Sequence, residues 1–137
     1  SHFGSLNNIG ILYGTLGKHD QAISYLKKAV KINPNNTEVL RNLGDTLYIL
    51  GESQKAANFY KKTIEINPNS TEAHNNLGII YNSMGENLEA INCHEKAIQI
   101  DSNSAVAHNN LGVLYGEVLN NEKSVYHFSR MFFLACR

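Results

Sequence analysis

The chain has 137 residues, of which 42% are apolar, and its 12 basic and 12 acidic side chains leave no net charge at neutral pH. This size suits one elongated core, and the lack of a basic excess argues against nucleic acid, whose phosphates need cations. No apolar run reaches the roughly 20 residues of a membrane helix, so we expect no membrane contact. Cys93 and Cys136 match neither a zinc site nor a disulfide framework, which favours a reducing, cytoplasmic compartment.

Apolar residues at helical spacing predict eight helices along the chain. In chain order we expect them over residues 4–16, 20–32, 37–50, 54–66, 71–84, 88–100, 105–118 and 122–135. Each odd-numbered helix except the last is followed by a glycine suited to a left-handed cap, at Gly17, Gly51 and Gly85. Pro34 and Pro68 stop two of the even-numbered helices, and Asn36 and Ser70 then offer side-chain oxygens that cap the next helix.

A second set of glycines recurs every 34 residues, each as the last letter of Asn-Ile-Gly or Asn-Leu-Gly: Gly10, Gly44, Gly78 and Gly112. A fixed period of this length indicates one supersecondary unit stacked on copies of itself. We therefore predict a single domain over residues 1–137 with repeats at about 3–36, 37–70, 71–104 and 105–137. Each of these glycines lies inside a helix, where it costs about 1 kcal/mol relative to Ala. We expect close helix packing in return, with Ala22, Ala56 and Ala90 on the partner helix.

The recurring pattern of Leu-Gly, Tyr, Ala and Pro resembles the tetratricopeptide repeat. The resemblance implies an all-α fold, a right-handed superhelical solenoid of four helix-turn-helix repeats. It also implies binding rather than catalysis, and no Ser-His-Asp order, carboxylate pair or phosphate-cradling loop is evident. We expect no enzyme, no cofactor and no metal. His74, His94 and His108 are expected to be core or half-buried residues, because no further ligand lies at metal-binding spacing.

In this family the first helix of each repeat lines a concave groove with positions two, five, six, nine, twelve and thirteen. Position six is Asn8, Asn42, Asn76 and Asn110, and position five is Asn7, Arg41, Asn75 and Asn109. An asparagine amide both donates and accepts, so a column of amides could bind the backbone of an extended peptide. The alternative is that these amides satisfy groups of the protein itself. The sequence thus predicts a protein-binding scaffold with these eight residues as candidate ligands.

The charges of this face indicate the kind of peptide. Family members that clamp acidic chaperone tails use Lys and Arg at positions that are Asn7, Glu72 and Asn76 here. Acidic side chains stand on the same face at Glu38, Asp45, Glu72 and Glu117, opposed by Arg41. We therefore expect a neutral or basic ligand.

A narrower resemblance leaves a second function open. The string Ala73–Gly78, echoed at Ala107–Gly112, is similar to the repeats that precede the catalytic region in O-linked sugar transferases of the O-GlcNAc and Spindly type. In those proteins the groove asparagines hold the polypeptide substrate. The alternative function is the substrate-recognition segment of a larger glycosyltransferase.

The last repeat departs from the pattern in its second helix. Tyr126 replaces Ser or Asn of the earlier repeats, and Phe133 replaces Lys, Glu or Gln. With Phe132 they form an apolar surface of a kind that monomers seldom expose. Residues 1–70 carry a formal charge of +3 and residues 71–137 carry −3. We expect a homo-oligomer through the C-terminal repeat, so a self-assembling structural module is a third reading.

Overall fold

The computed structural model describes residues 2–118 and 121–136. These residues form eight helices joined by short turns. The helices are α1 (His2–Thr15), α2 (His19–Ile32), α3 (Thr37–Ile49), α4 (Ser53–Ile66), α5 (Thr71–Ser83), α6 (Asn87–Ile100), α7 (Ala105–Val118) and α8 (Asn121–Ala135). Every boundary lies within two residues of the predicted one, and the described residues include no β-strand. The predicted all-α fold of four helix-turn-helix repeats is confirmed.

The predicted helix ends are confirmed by backbone angles and hydrogen bonds. Gly17 has a φ of +71°, and the two equivalent turn glycines each have +78°. At the start of α3 the Asn36 side chain accepts a hydrogen bond from the Val39 N–H at 3.0 Å. Ser70 accepts one from the Ala73 N–H at 3.2 Å at the start of α5. Local chemistry therefore sets where α1, α3 and α5 end and where α3 and α5 begin.

The glycines inside the first helices allow close approach of the two helices in a repeat. A Cβ atom built on Gly10 would lie 2.7 Å from Leu26 Cγ. On Gly44 it would lie 2.9 Å from Tyr60 Cε2, and on Gly78 it would lie 2.6 Å from His94 Nε2. The expected close packing is confirmed. In each case the nearest atoms belong to the residue four positions after the repeated alanine. The alanine carbonyl oxygen comes next for Gly10, at 3.4 Å from Ala22, and for Gly44, at 3.6 Å from Ala56.

The chain divides into two compact units, Ser1–Pro68 and Asn69–Arg137, each containing two repeats. In the first unit α2 packs on both α1 and α3, and α3 packs on α4. In the second unit the same order holds for α5 to α8. The α6–α7 core of the second unit contains Ala90, Ile91, Leu111, Leu114 and Tyr115, with Tyr81 and Ile98 packed against it.

Within the described residues, no helix combines the length and the apolar character needed to cross a bilayer.

Replacing Gly44 with Ala tests the packing constraint. The new methyl group would press on the Tyr60 ring, which is 1% exposed and whose hydroxyl donates a hydrogen bond to Asp45, so the ring cannot easily move. Overpacking costs about 1–3 kcal/mol, partly offset by about 1 kcal/mol of helix propensity. We expect Gly44→Ala to lower the free energy of unfolding by up to about 2 kcal/mol in urea titrations.

Gly14→Ala is the matched control, since a Cβ there would meet only Ala22 Cβ at 4.0 Å. It should be neutral or stabilising by up to about 1 kcal/mol. Equal effects of the two substitutions would contradict the packing argument.

Candidate functional site

The position-six asparagines lie on the first helices in different environments. In the first unit Asn8 is exposed, and Asn42 is half-buried with its Nδ2 donating to Asn7 Oδ1 at 3.2 Å. In the second unit Asn76 and Asn110 are both half-buried. The Nδ2 of Asn110 is shielded from solvent and finds no hydrogen-bond partner in the described part of the chain. A buried donor left in this state costs about 1–3 kcal/mol.

The position-five residue Asn7 makes hydrogen bonds between repeats. It is 6% exposed, and its Nδ2 donates to Glu38 Oε1 at 3.1 Å while its Oδ1 accepts from Asn42. The Asn7 side chain therefore ties α1 to α3 with both halves of its amide. The sequence predicts Asn7 as a peptide ligand, whereas the structure gives its amide intramolecular partners. Arg41 and Asn109, at the same position of the second and fourth repeats, are half-buried.

Asn75 has the equivalent role in the second unit, within a buried polar chain. His94 Nδ1 lies 3.0 Å from Asn75 Oδ1, so this nitrogen carries the proton and donates. Asn75 Nδ2 in turn donates to Ser104 Oγ at 3.4 Å, and Ser104 Oγ accepts from the Ala107 N–H in the first turn of α7. The chain thus connects α6, α5 and the start of α7. The sequence did not predict this chain of hydrogen bonds, although the polar pair Asn75 and His94 at positions facing the core was a usable signal.

Burial controls the charge of His94. The side chain is 1% exposed, and removal from water lowers its pKa from 6.5 to about 4. The imidazole is therefore neutral at pH 7. The expectation that His94 is a core residue is confirmed.

His108 lies in a second cluster, between α7 and α8. It is 2% exposed, and its Nε2–H donates to the Ser102 carbonyl oxygen at 3.1 Å. Its Nδ1 must then accept, and His127 Nδ1 lies 2.9 Å away as the donor. The rings of Tyr115 and Tyr126 pack against His127. Burial, followed by a hydrogen bond to Glu95, raises the pKa of Tyr115. The expected core role of His108 is confirmed, and the described residues contain no group of three metal-binding side chains.

Exposed aliphatic side chains accompany the asparagines on the first helices. Ile11 follows Asn8 by one turn and is 39% exposed. In the second unit Ile79 and Val113 follow Asn76 and Asn110 by one turn and are 37% and 39% exposed. Each of these three helices therefore offers an amide beside an aliphatic contact surface.

The C-terminal helix exposes the aromatic residues that the sequence singled out. Tyr126, Phe132 and Phe133 are 62%, 69% and 52% exposed. Both phenylalanines line a shallow depression together with Ser129, Met131 and Cys136. The apolar surface of α8 is therefore open to solvent in this chain.

Acidification should destabilise the fold through His94. The unfolded state holds a proton on this residue below about pH 6.5 and the folded state only below about pH 4. Stability therefore falls as pH falls between these values, by about 3 kcal/mol in total from this residue. Urea titrations from pH 7 to pH 4 should show this slope and should lose it in His94→Leu, which copies Leu26 of the first repeat. An unchanged slope in the variant would show that other groups cause it.

Comparison with known proteins gives both a family and structural relatives. Tetratricopeptide repeat profiles match residues 5–69 and 59–92, and a further TPR repeat profile matches residues 80–118. No curated protein is significantly similar to the sequence. A crystal structure of MamA superposes with a TM-score of 0.91 at 28% identity, covering 97% of this chain and 78% of MamA. A second MamA crystal structure gives a TM-score of 0.87 at 28% identity, covering 96% and 72% of the two chains.

MamA from Desulfovibrio magneticus RS-1 has a TM-score of 0.89 at 21% identity over 97% of this chain and 75% of its own length, a likeness of fold alone. The 34-residue register, the glycine contacts within each helix pair and the matching profiles lead to one conclusion. The chain belongs to the tetratricopeptide repeat family.

Proposed function

We propose that the chain is a non-catalytic protein-interaction module whose first helices bind an extended peptide segment. The observation that carries the proposal is the Asn110 amide. Its Nδ2 has no hydrogen-bond partner among the described residues, yet the side chain as a whole is half-buried and therefore reachable. Turning the amide outward toward a ligand carbonyl would sacrifice no hydrogen bond within that part of the chain and would satisfy a costly donor.

Positions five and six differ in burial and in hydrogen bonding, and we therefore give them different roles. Asn7 and Asn75 are 6% exposed and bonded within the protein, so they position the repeats. Asn8 and Asn110 keep amide groups that a peptide backbone could bind. We assign peptide binding at position six to Asn8 and Asn110, and at position five to Arg41 and Asn109, which are half-buried rather than buried.

The side chains beside these asparagines indicate what kind of peptide would bind. Ile79 and Val113 would contact apolar side chains of a bound segment in the second unit. Glu72 and Glu117 are exposed on the first helices of the same unit and would repel a carboxylate. The ligand is therefore a neutral or basic segment with aliphatic residues.

Replacing Asn110 with Ala should weaken peptide binding without loss of stability. A peptide selected from a random display library against the intact chain is the probe, with affinity measured by fluorescence anisotropy. One neutral hydrogen bond is worth about 0.5–1.5 kcal/mol, so we expect affinity to fall by about two- to tenfold. The free energy of unfolding should hold or rise, because the variant removes an unsatisfied donor.

Asn75→Ala is the matched control at the adjacent position of the preceding repeat. It leaves the buried His94 N–H without an acceptor, so it should lower the free energy of unfolding by about 1–3 kcal/mol. If Asn110→Ala instead destabilises the fold and leaves peptide affinity intact, the position-six amides are structural.

A second interaction is favoured by the exposed aromatics of α8. We propose that the chain self-associates through Tyr126, Phe132 and Phe133, because burying these rings would remove a few hundred Å² of apolar surface from water. Peptide binding and self-association are both contacts between this chain and another protein surface.

Phe133→Lys should reduce the association. Light scattering on the intact chain should show a mass that rises with concentration across the micromolar range, and the variant should remain closer to the monomer mass. Circular dichroism should be unchanged because Phe133 is 52% exposed. A monomer in both samples, with the fold intact, would refute this proposal and leave the peptide-binding proposal standing.

A further inference from the structure

Two neighbouring first helices of the second unit offer the same aliphatic contact, one repeat apart. Ile79 on α5 and Val113 on α7 both hold position nine of their repeats, and they are 37% and 39% exposed. Asn110 lies three residues before Val113, and within residues 2–118 and 121–136 its Nδ2 has no acceptor. An extended ligand that crosses from α5 to α7 would therefore meet two aliphatic contacts and one unused donor.

The first unit differs at these positions. Ile11 holds position nine of α1, but the same position of α3 is Asp45, which accepts a hydrogen bond from the Tyr60 hydroxyl. The Asn42 amide of α3 already donates to Asn7. The pair of aliphatic contacts with an unused donor beside them therefore belongs to the second unit.

The spacing of the two aliphatic contacts selects a conformation of the ligand. The helices α5 and α7 contact each other, and the axes of packed helices lie about 8–10 Å apart. Three residues of polyproline II span about 9 Å, and because this helix has three residues per turn, every third side chain returns to the same face. In a β-strand, side chains on one face recur at about 7 Å or about 13 Å. Polyproline II therefore matches the two contacts better than a β-strand does.

The unused group of Asn110 favours the same conformation, because it is a donor. A polyproline II backbone makes no internal hydrogen bonds, so its carbonyl oxygens are open to the Asn110 Nδ2. Proline keeps its carbonyl oxygen and lacks the N–H, so a segment that contains proline presents acceptors with fewer donors in need of a partner. A helical ligand would instead use its carbonyl oxygens in its own backbone hydrogen bonds.

We propose that the second unit binds a segment in polyproline II conformation with aliphatic side chains three residues apart, one against Ile79 and one against Val113. This inference rests on the proposed peptide-binding function and names the class of peptide. Glu72 on α5 and Glu117 on α7 are exposed on the same two helices, so basic residues beside the aliphatic ones would complement the charge of this surface.

Peptides that differ only in the spacing of two leucines test the period. Three fluorescent peptides of equal length share one content of proline, alanine and lysine, and their leucines stand two, three or four positions apart. Fluorescence anisotropy with the full-length chain should show that the three-residue spacing binds at least about fivefold more tightly than either other spacing, because only this peptide buries both leucines. Replacing its prolines with glycine should weaken binding at least about threefold, since a flexible backbone loses more entropy on ordering.

Variants of the protein test where the leucines lie. Ile79→Ser and Val113→Ser should each abolish the preference for three-residue spacing, because each removes one of the two aliphatic contacts. Leu88→Ser is the matched control and should keep the preference, since Leu88 is 67% exposed but lies on α6. Thermal melts followed by circular dichroism should show that all three variants are folded.

Equal or tighter binding of another leucine spacing, equal binding of the glycine peptide, or no binding of any of these peptides would refute the polyproline II inference. The proposed function is judged separately, by the effect of Asn110→Ala on the library-selected peptide. If that variant loses affinity while leucine spacing has no effect, peptide binding stands and only the conformation assigned to the ligand is wrong. If Asn110→Ala leaves that affinity unchanged, the proposed function fails as well.

Discussion

The fold depends on the missing side chain at one position of α1, α3 and α5. Gly10, Gly44 and Gly78 let a residue of the second helix approach to where a Cβ atom would stand, below 3.0 Å in all three repeats. The residue that fills this space is Leu26, Tyr60 or His94, and it varies while the glycine does not. The helical penalty of glycine is thus offset by the packing of a large buried side chain against the backbone.

That close approach has consequences for the polar side chains on the same helices. With the helix pairs fixed, position five faces the next repeat, so Asn7 and Asn75 become buried and bond to groups of the following helix or its cap. Position six is one residue, or about 100°, further around the helix and stays nearer the surface. Two adjacent asparagines therefore differ in surroundings: Asn7 and Asn75 are buried and bonded to the next repeat, whereas Asn8 and Asn76 lie nearer the surface.

The repeat architecture also explains why this chain suits interaction with other proteins. Stacked helix pairs create extended surfaces that repeat proteins use for binding. Here the exposed side chains include the Phe132 ring on α8 and the Asn8 amide on α1. Side chains of both kinds suit reversible contact with another protein.

The sequence by itself determined the helices, their caps and the family, because these depend on local backbone preference and on a 34-residue register that is visible in the letters. It also indicated the glycine contacts, since a helical glycine repeated at a fixed interval needs a packing reason. Only the tertiary structure decided that Asn7 and Asn75 are buried while the adjacent Asn8 and Asn76 are not, because the side-chain type is the same and the surroundings alone differ. It likewise decided that Leu12 is open while Leu114 is covered, and that His94 is held neutral by burial, since exposure depends on the packing of neighbouring helices rather than on the residue itself.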